Sequence, residues 1–125
     1  MNELDFIKQR SSEYLLEEPD ALLRSTIEQL LLSSTEESVH DLTSRMATHV
    51  RFGTAGLRGK MEAGYNRLNL VSVYRFAFAL AKEFDFSHIK NRSVVVGFDA
   101  RQHSKQFAEE VMGVLQALGV SDFFV

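Results

Sequence analysis

Between Arg51 and Arg67 the chain reads Arg-Phe-Gly-Thr-Ala-Gly-Leu-Arg-Gly-Lys-Met-Glu-Ala-Gly-Tyr-Asn-Arg, and this stretch holds four of the seven glycines, Gly53, Gly56, Gly59 and Gly64. Glycine has no Cβ and reaches positive φ without a steric clash, so a run with glycines three residues apart reads as a tight loop rather than the interior of a helix or strand. Such a backbone can turn several N–H groups toward one point, where an anion would sit. The stretch also carries Arg51, Arg58, Lys60 and Arg67 against a single acid, Glu62. Its net charge of +3 lies in a chain of net charge −3, so the remainder carries −6. A basic island in an acidic chain describes a site for a small anionic ligand. The competing interpretation is an irregular turn whose arginines are merely solvated.

Spacing rules out two familiar phosphate loops. A Walker loop requires glycine five residues before Gly59 and a hydroxyl residue after Lys60, but Thr54 and Met61 occupy those positions. A dinucleotide loop requires Gly-x-Gly, which occurs nowhere in the chain.

Around this loop the apolar periodicity predicts helices and a few strands. Leu4, Ile7, Tyr14 and Leu15 suggest a short helix over Leu4 to Leu16, broken by Pro19. Leu22, Leu23, Ile27, Leu30 and Leu31 mark a second helix that begins near Asp20 and fades in Ser33-Ser34. Thr35-Glu36-Glu37-Ser38 opens a third, with Val39, Leu42 and Met46 on its buried side toward His49. Asn69 caps the clearest helix, whose stripe is Val73, Phe76, Ala77, Leu80, Ala81 and Phe84.

The run Ser93 to Phe98 reads as a buried strand of a parallel sheet, Ser104 to Leu118 as a helix stopped by Gly119, and Val120 to Val125 as another strand. That order implies a right-handed β-α-β crossover, with ligands bound beyond the carboxyl ends of the strands, where Asp99 to His103 lie. One further short strand is expected near Lys60 to Ala63. The chain stops at Phe123-Phe124-Val125 in mid-strand, which suggests the leading part of a longer protein. An unpaired sheet edge there, with Val120 to Val125 as the contact, is expected to promote self-association.

A length of 125 residues is enough for one small domain or a piece of a larger one. No cysteine is present, which excludes disulfides and thiolate chemistry and fits a cytoplasmic location. The longest apolar run, Phe76 to Ala81, is far short of the roughly 20 residues of a membrane span, so no membrane partner is expected. The amino terminus is not a secretory signal. The four histidines form no metal motif; His103 alone lies beside the presumed site loop.

Phe52-Gly-Thr-Ala-Gly-Leu-Arg-Gly59, followed by Ala63-Gly-Tyr-Asn-Arg-Leu-Asn69, resembles the amino-terminal signature of the α-D-phosphohexomutases, in the branch with phosphoglucomutases and phosphopentomutases. Val94-Val-Val-Gly-Phe-Asp-Ala-Arg101 resembles the family's strand followed by Gly-x-Asp-x-Arg. The resemblance implies an α/β fold in which residues 1–50 are a helical extension. Residues 51–125 would then be the first part of phosphohexomutase domain 1, with a mixed sheet and a β-α-β crossover, ending before the active-site serine loop.

It also implies site roles. Arg58 would grip substrate phosphate or a phosphoserine through two parallel hydrogen bonds, a geometry lysine cannot match. Thr54, Gly53 and Gly56 would complete the phosphate loop, and Ala55 stands where many members have serine. Asp99 and Arg101 would brace the active-site loops by pairing with neighbours, with Lys60 in a like supporting role.

The parent would interconvert hexose or pentose 1-phosphates with 6- or 5-phosphates through a phosphoserine and a bisphosphate, using magnesium and glucose 1,6-bisphosphate. Neither the Thr-Ala-Ser-His-Asn-Pro serine loop nor the Asp-Gly-Asp-x-Asp-Arg metal loop is present. The chain alone is therefore expected to have no catalytic residue, no bound metal or cofactor, and no turnover. The alternatives are a non-catalytic phosphosugar-binding or regulatory protein, and a nucleic-acid module. The second alternative is opposed by the surrounding negative charge and by the scarcity of aromatics in the loop.

Overall fold

A computed structural model describes residues 2–54, 56–84, 94–120 and 123–124, with backbone alone at Phe84, Phe123 and Phe124. The expected strand ends at Ser93 and Val125, and Ala55 in the loop, lie outside the described residues. Two compact units are present, one ending at Ser72 and the other beginning at Val73.

The first unit opens with helices α1 (Glu3–Glu17), α2 (Ala21–Leu32) and α3 (Glu36–Met46). Their ends are set locally. Asn2, Asp20 and Thr35 each accept a backbone N–H from the first turn, satisfying donors that have no partner inside the helix. Glu18 is extended, with φ −78° and ψ 116°, the conformation favoured before a proline, and α1 stops there. Arg24 of α2 donates to the carbonyls of Leu15 and Glu18, so the frayed end of α1 is satisfied by its neighbour.

The three helices pack around Ile7, Tyr14, Ile27, Leu42 and Met46. Burying each such side chain is worth about 1.5–3 kcal/mol. Ser11 is also fully buried, its hydroxyl turned back to donate to the Ile7 carbonyl. The Tyr14 hydroxyl donates to Glu18 Oε1 at 2.5 Å, and Glu18 Oε2 accepts from the Asp20 N–H. Burial, and then the bond to this carboxylate, raises the Tyr14 pKa far above its ordinary value, although the Gly64 backbone and the Arg45 charge act in the opposite sense.

The third helix ends at Met46, short of His49, because its last carbonyls are taken by other parts of the chain. The Arg45 carbonyl accepts from the Asn66 N–H, and the Met46 carbonyl accepts from Arg10 Nε of α1. Arg10 also lies over the Tyr65 ring, 4.9 Å from its centroid.

Two very short strands follow, β1 (Phe52–Gly53) and β2 (Gly56–Leu57), paired antiparallel with Phe52 opposite Leu57 and Gly53 opposite Gly56. Residues 60–63 form no strand, and 61–63 are bends where the strand was expected. The Lys60 carbonyl accepts from both the Glu62 and Leu68 N–H groups, which closes the backbone on itself instead of offering it to a sheet. Gly64 has φ +129°, and a Cβ there would lie 2.7 Å from Arg45 Cβ and 2.9 Å from the Arg45 carbonyl oxygen. The segment thus lies directly on the last turn of α3 and delivers Ala63 and Tyr65 to the core. Asn69 secures its far end: its Nδ2 donates to the Glu62 and Gly64 carbonyls, while its Oδ1 caps α4 (Leu70–Phe84) through the Ser72 N–H.

Within the second unit, Val73, Ala77 and Ala81 are the buried positions of the expected stripe, while Phe76 and Leu80 are half-buried. Strands β3 (Val94–Val95) and β4 (Phe123–Phe124) pair in parallel, with Val94 opposite Phe123, and α5 (Ser104–Ala117) lies between them in sequence. Val94 packs with Ala81, Val111, Leu115 and Val120, but Val95 is 73% exposed, so this strand is not buried on both faces as its composition suggests. Successive strand residues face opposite ways, and the apolar cluster lies on the Val94 side. Gly119, at φ +105°, ends α5 as expected. Among the described residues no helix is long and apolar enough to cross a membrane.

Two outcomes are expected in urea denaturation. Gly64→Ala should lose at least about 2 kcal/mol, from strained φ and overlap with Arg45 backbone. Gly113→Ala in α5, where a Cβ meets nothing within 4 Å, should gain about 0.5–1 kcal/mol. Equal effects at the two glycines would contradict this packing. Tyr14→Phe should cost about 1–3 kcal/mol by leaving a buried Glu18 oxygen without its donor. An unchanged midpoint would show that this oxygen is hydrated.

Candidate anion-binding site

The β1–β2 hairpin projects from the first unit with Gly53 and Thr54 exposed, and Arg58, Gly59 and Lys60 follow it, also exposed. Gly56 has φ +130°, a conformation that side-chain-bearing residues rarely adopt, so the turn back into β2 depends on glycine here. Gly59 is held close to the framework: a Cβ would approach Val50 Cγ2 to 3.2 Å. Gly53, Thr54, Gly56, Arg58 and Lys60 thus belong to one short, largely exposed segment of the chain.

Its electrostatics divide sharply. Among the described residues, Arg51, Arg58 and Lys60 have no carboxylate within ion-pair distance. Arg67 does not belong with them, although the sequence counts it among the cations of the loop. Its side chain is only 13% exposed, its Nη1 donates to the Ser44 and Asn66 carbonyls, and its Nε faces Glu62 Oε2 at 3.5 Å, an ion pair without a hydrogen bond. Glu62 also pairs with Arg45 Nη2 at 2.9 Å, and Arg45 reaches Asp41 and the Ala63 carbonyl. Lys60 borders an open cleft of about 540 Å³ shared with Ser38, His40 and Asp41 of α3.

Three unneutralised cations beside a glycine hairpin can hold a phosphate. Arg58 supplies a planar fork suited to two oxygens, and Lys60 a point charge. Among the described residues no three His, Cys, Asp or Glu side chains are grouped to hold a metal ion.

In the second unit, Asp99 and Arg101 pair with each other rather than with separate neighbours. Asp99 Oδ2 accepts from Arg101 Nε at 2.7 Å and Oδ1 from the Arg101 N–H, and both side chains are well exposed. The Arg101 N–H, and then its guanidinium, holds the Asp99 carboxyl below its usual range. Ser104 Oγ accepts from the Asp99 N–H, closing the turn into α5. His103 adopts φ 69° at the head of α5, with its ring stacked near Phe107.

Sequence reasoning passed over Arg10, Arg45 and the structural use of Glu62. The Asp41–Arg45 spacing of four residues was a visible cue for a helix-surface pair. Nothing local announced that Arg45 would also reach residues 62 and 63.

Comparison with known proteins agrees with the resemblance carried by Phe52–Gly59 and Val94–Arg101. Residues 49–125 match the family model described as phosphoglucomutase/phosphomannomutase, alpha/beta/alpha domain I. The chain is 37% identical over 83 residues to a phosphoribomutase of Saccharomyces cerevisiae, covering 66% of this chain and 13% of that protein. It is 32% identical over 99 residues to a phosphopentomutase of Mus musculus, covering 78% and 16%. Against a phosphoglucomutase of Staphylococcus epidermidis it is 32% identical over 101 residues, covering 81% and 18%. The chain thus spans less than a fifth of the length of these relatives. No solved structure gave a significant match. The chain belongs to the phosphoglucomutase/phosphomannomutase family, with residues 49–125 matching its domain I.

Proposed function

We propose that this chain supplies the phosphate-gripping loop of a phosphosugar mutase that interconverts hexose or pentose 1-phosphates with their 6- or 5-phosphates. The observation that carries the proposal is the set of unpaired cations Arg51, Arg58 and Lys60 around a glycine hairpin, in a chain whose remaining charge is negative. Relatives named phosphoribomutase, phosphopentomutase and phosphoglucomutase support the substrate class.

In this proposal Arg58 binds the phosphoryl group bidentately and orients it, with Thr54 and the Gly53 and Gly56 backbone as further contacts. Lys60 offsets charge that accumulates on the phosphoryl oxygens. Phosphoryl transfer asks little covalent chemistry of the protein and depends on positioning and charge stabilisation, which is what such a loop supplies. Asp99 and Arg101 hold each other and stiffen the turn ahead of α5. The nucleophilic serine, magnesium and a glucose 1,6-bisphosphate activator are assigned to residues other than those described. Magnesium, when bound, supplies further neutralisation of phosphoryl charge.

In the enzyme that carries this domain, Arg58→Lys should lower kcat/KM for glucose 1-phosphate or ribose 1-phosphate by at least about 10-fold, equivalent to about 1.4 kcal/mol of transition-state stabilisation. Steady-state kinetics with both sugars checks this. Unchanged kcat/KM for both would reduce the loop to scaffold.

A further inference from the structure

Glu62 lies between two largely buried arginines. Its Oε2 is 2.9 Å from Arg45 Nη2 and 3.5 Å from Arg67 Nε, and those side chains are 12% and 13% exposed, against 38% for Glu62 itself. Arg45 belongs to α3 and Arg67 to the end of the glycine-rich stretch, so one carboxylate ties the stretch to the helix. The tie continues through backbone: the Lys60 carbonyl accepts from the Glu62 N–H at 3.0 Å and from the Leu68 N–H at 2.8 Å, and the Glu62 carbonyl accepts from Asn69 Nδ2. Lys60 and, two residues before it, Arg58 project from the end of this closed turn.

We infer that Glu62 is a positioning residue for the anion site, locking Arg45 and Arg67 so that the turn presents Arg58 and Lys60 from one fixed place. The inference rests on the phosphate-binding reading given above. It differs from that reading in the sign of one effect. As a bare charge, a carboxylate two residues from Lys60 lowers the local positive potential and opposes anion binding, so its removal would tighten the site. As a positioning group it acts the other way. Without the carboxylate, two largely buried guanidiniums face one neutral amide: Arg45 keeps Asp41, but Arg67 loses its one carboxylate partner among the described residues, and the uncompensated charge pushes the turn off its register. Loss of register reduces affinity for a ligand gripped through a bidentate fork, even as net charge rises by one.

The experiment uses the full chain and measures binding of glucose 1-phosphate and of inorganic phosphate by calorimetry, alongside amide hydrogen exchange of residues 60–68. Three proteins are compared: wild type, Glu62→Gln and Glu109→Gln. Glu109 pairs with Lys105 on α5 of the second unit, so its variant makes the same charge change at a residue that takes no part in the clamp. Glu62→Gln should weaken binding at least about 5-fold and speed exchange in residues 60–68, whereas Glu109→Gln should bind as wild type or slightly more tightly. Binding by Glu62→Gln that equals or exceeds wild type would overturn the inference alone. So would equal weakening in Glu109→Gln. Absence of saturable binding by wild type would overturn the phosphate-loop reading and this inference with it.

Discussion

Residue 64 has no room for a side chain, since a Cβ there would fall inside contact distance of both the Arg45 side chain and its carbonyl. That single close approach lets the glycine-rich stretch lie on α3 instead of standing away from it. Once it lies there, the Asn66 N–H meets the Arg45 carbonyl, Tyr65 meets Tyr14 edge-on at 5.3 Å, and Asn69 gathers the Glu62 and Gly64 carbonyls. The same approach brings Arg45 and Arg67 to one carboxylate. Core packing, helix termination and the ion-pair clamp all follow from a position that carries no atoms beyond the backbone.

The parts of this arrangement legible in the sequence are those governed by neighbours in the chain. Asp20 and Thr35 could be read as helix starts and Asn69 as a cap because a cap acts within three residues, and Pro19 and Gly119 end their helices through their own backbone limits. The tight turn of the candidate loop was legible for a different reason: its signature is a contiguous run, Phe52 to Gly59, and it folds as a local hairpin. The end of α3 was not legible. Periodicity carries the helix toward His49, and what stops it is Arg10, some 36 residues distant in sequence, together with Asn66.

Arg67 shows the same limit from the side of function. Charge and spacing place it with Arg51, Arg58 and Lys60, and composition cannot distinguish an arginine offered to solvent from one buried against Ser44 and Glu62. The strand at Val94 is a related case. A β-branched run states that a residue prefers a pleated backbone, but not whether both faces are covered, and Val95 is exposed where Val94 is packed.

The division among the basic residues also bears on what kind of anion the proposed site favours. With Arg67 and Arg45 committed to Glu62, the loop offers Arg51, Arg58 and Lys60, enough to offset a phosphate monoester but little more. The chain as a whole remains negative. Charges separated by more than about 8 Å are largely screened at physiological ionic strength, so a compact dianion responds mainly to the cations it touches. A long polyanion gains the same local contacts but must extend over the rest of an acidic protein, where each further phosphate meets repulsion or, at best, water. Local attraction set against general repulsion therefore favours a small anion at the proposed site, and a single phosphate group is a size that satisfies both.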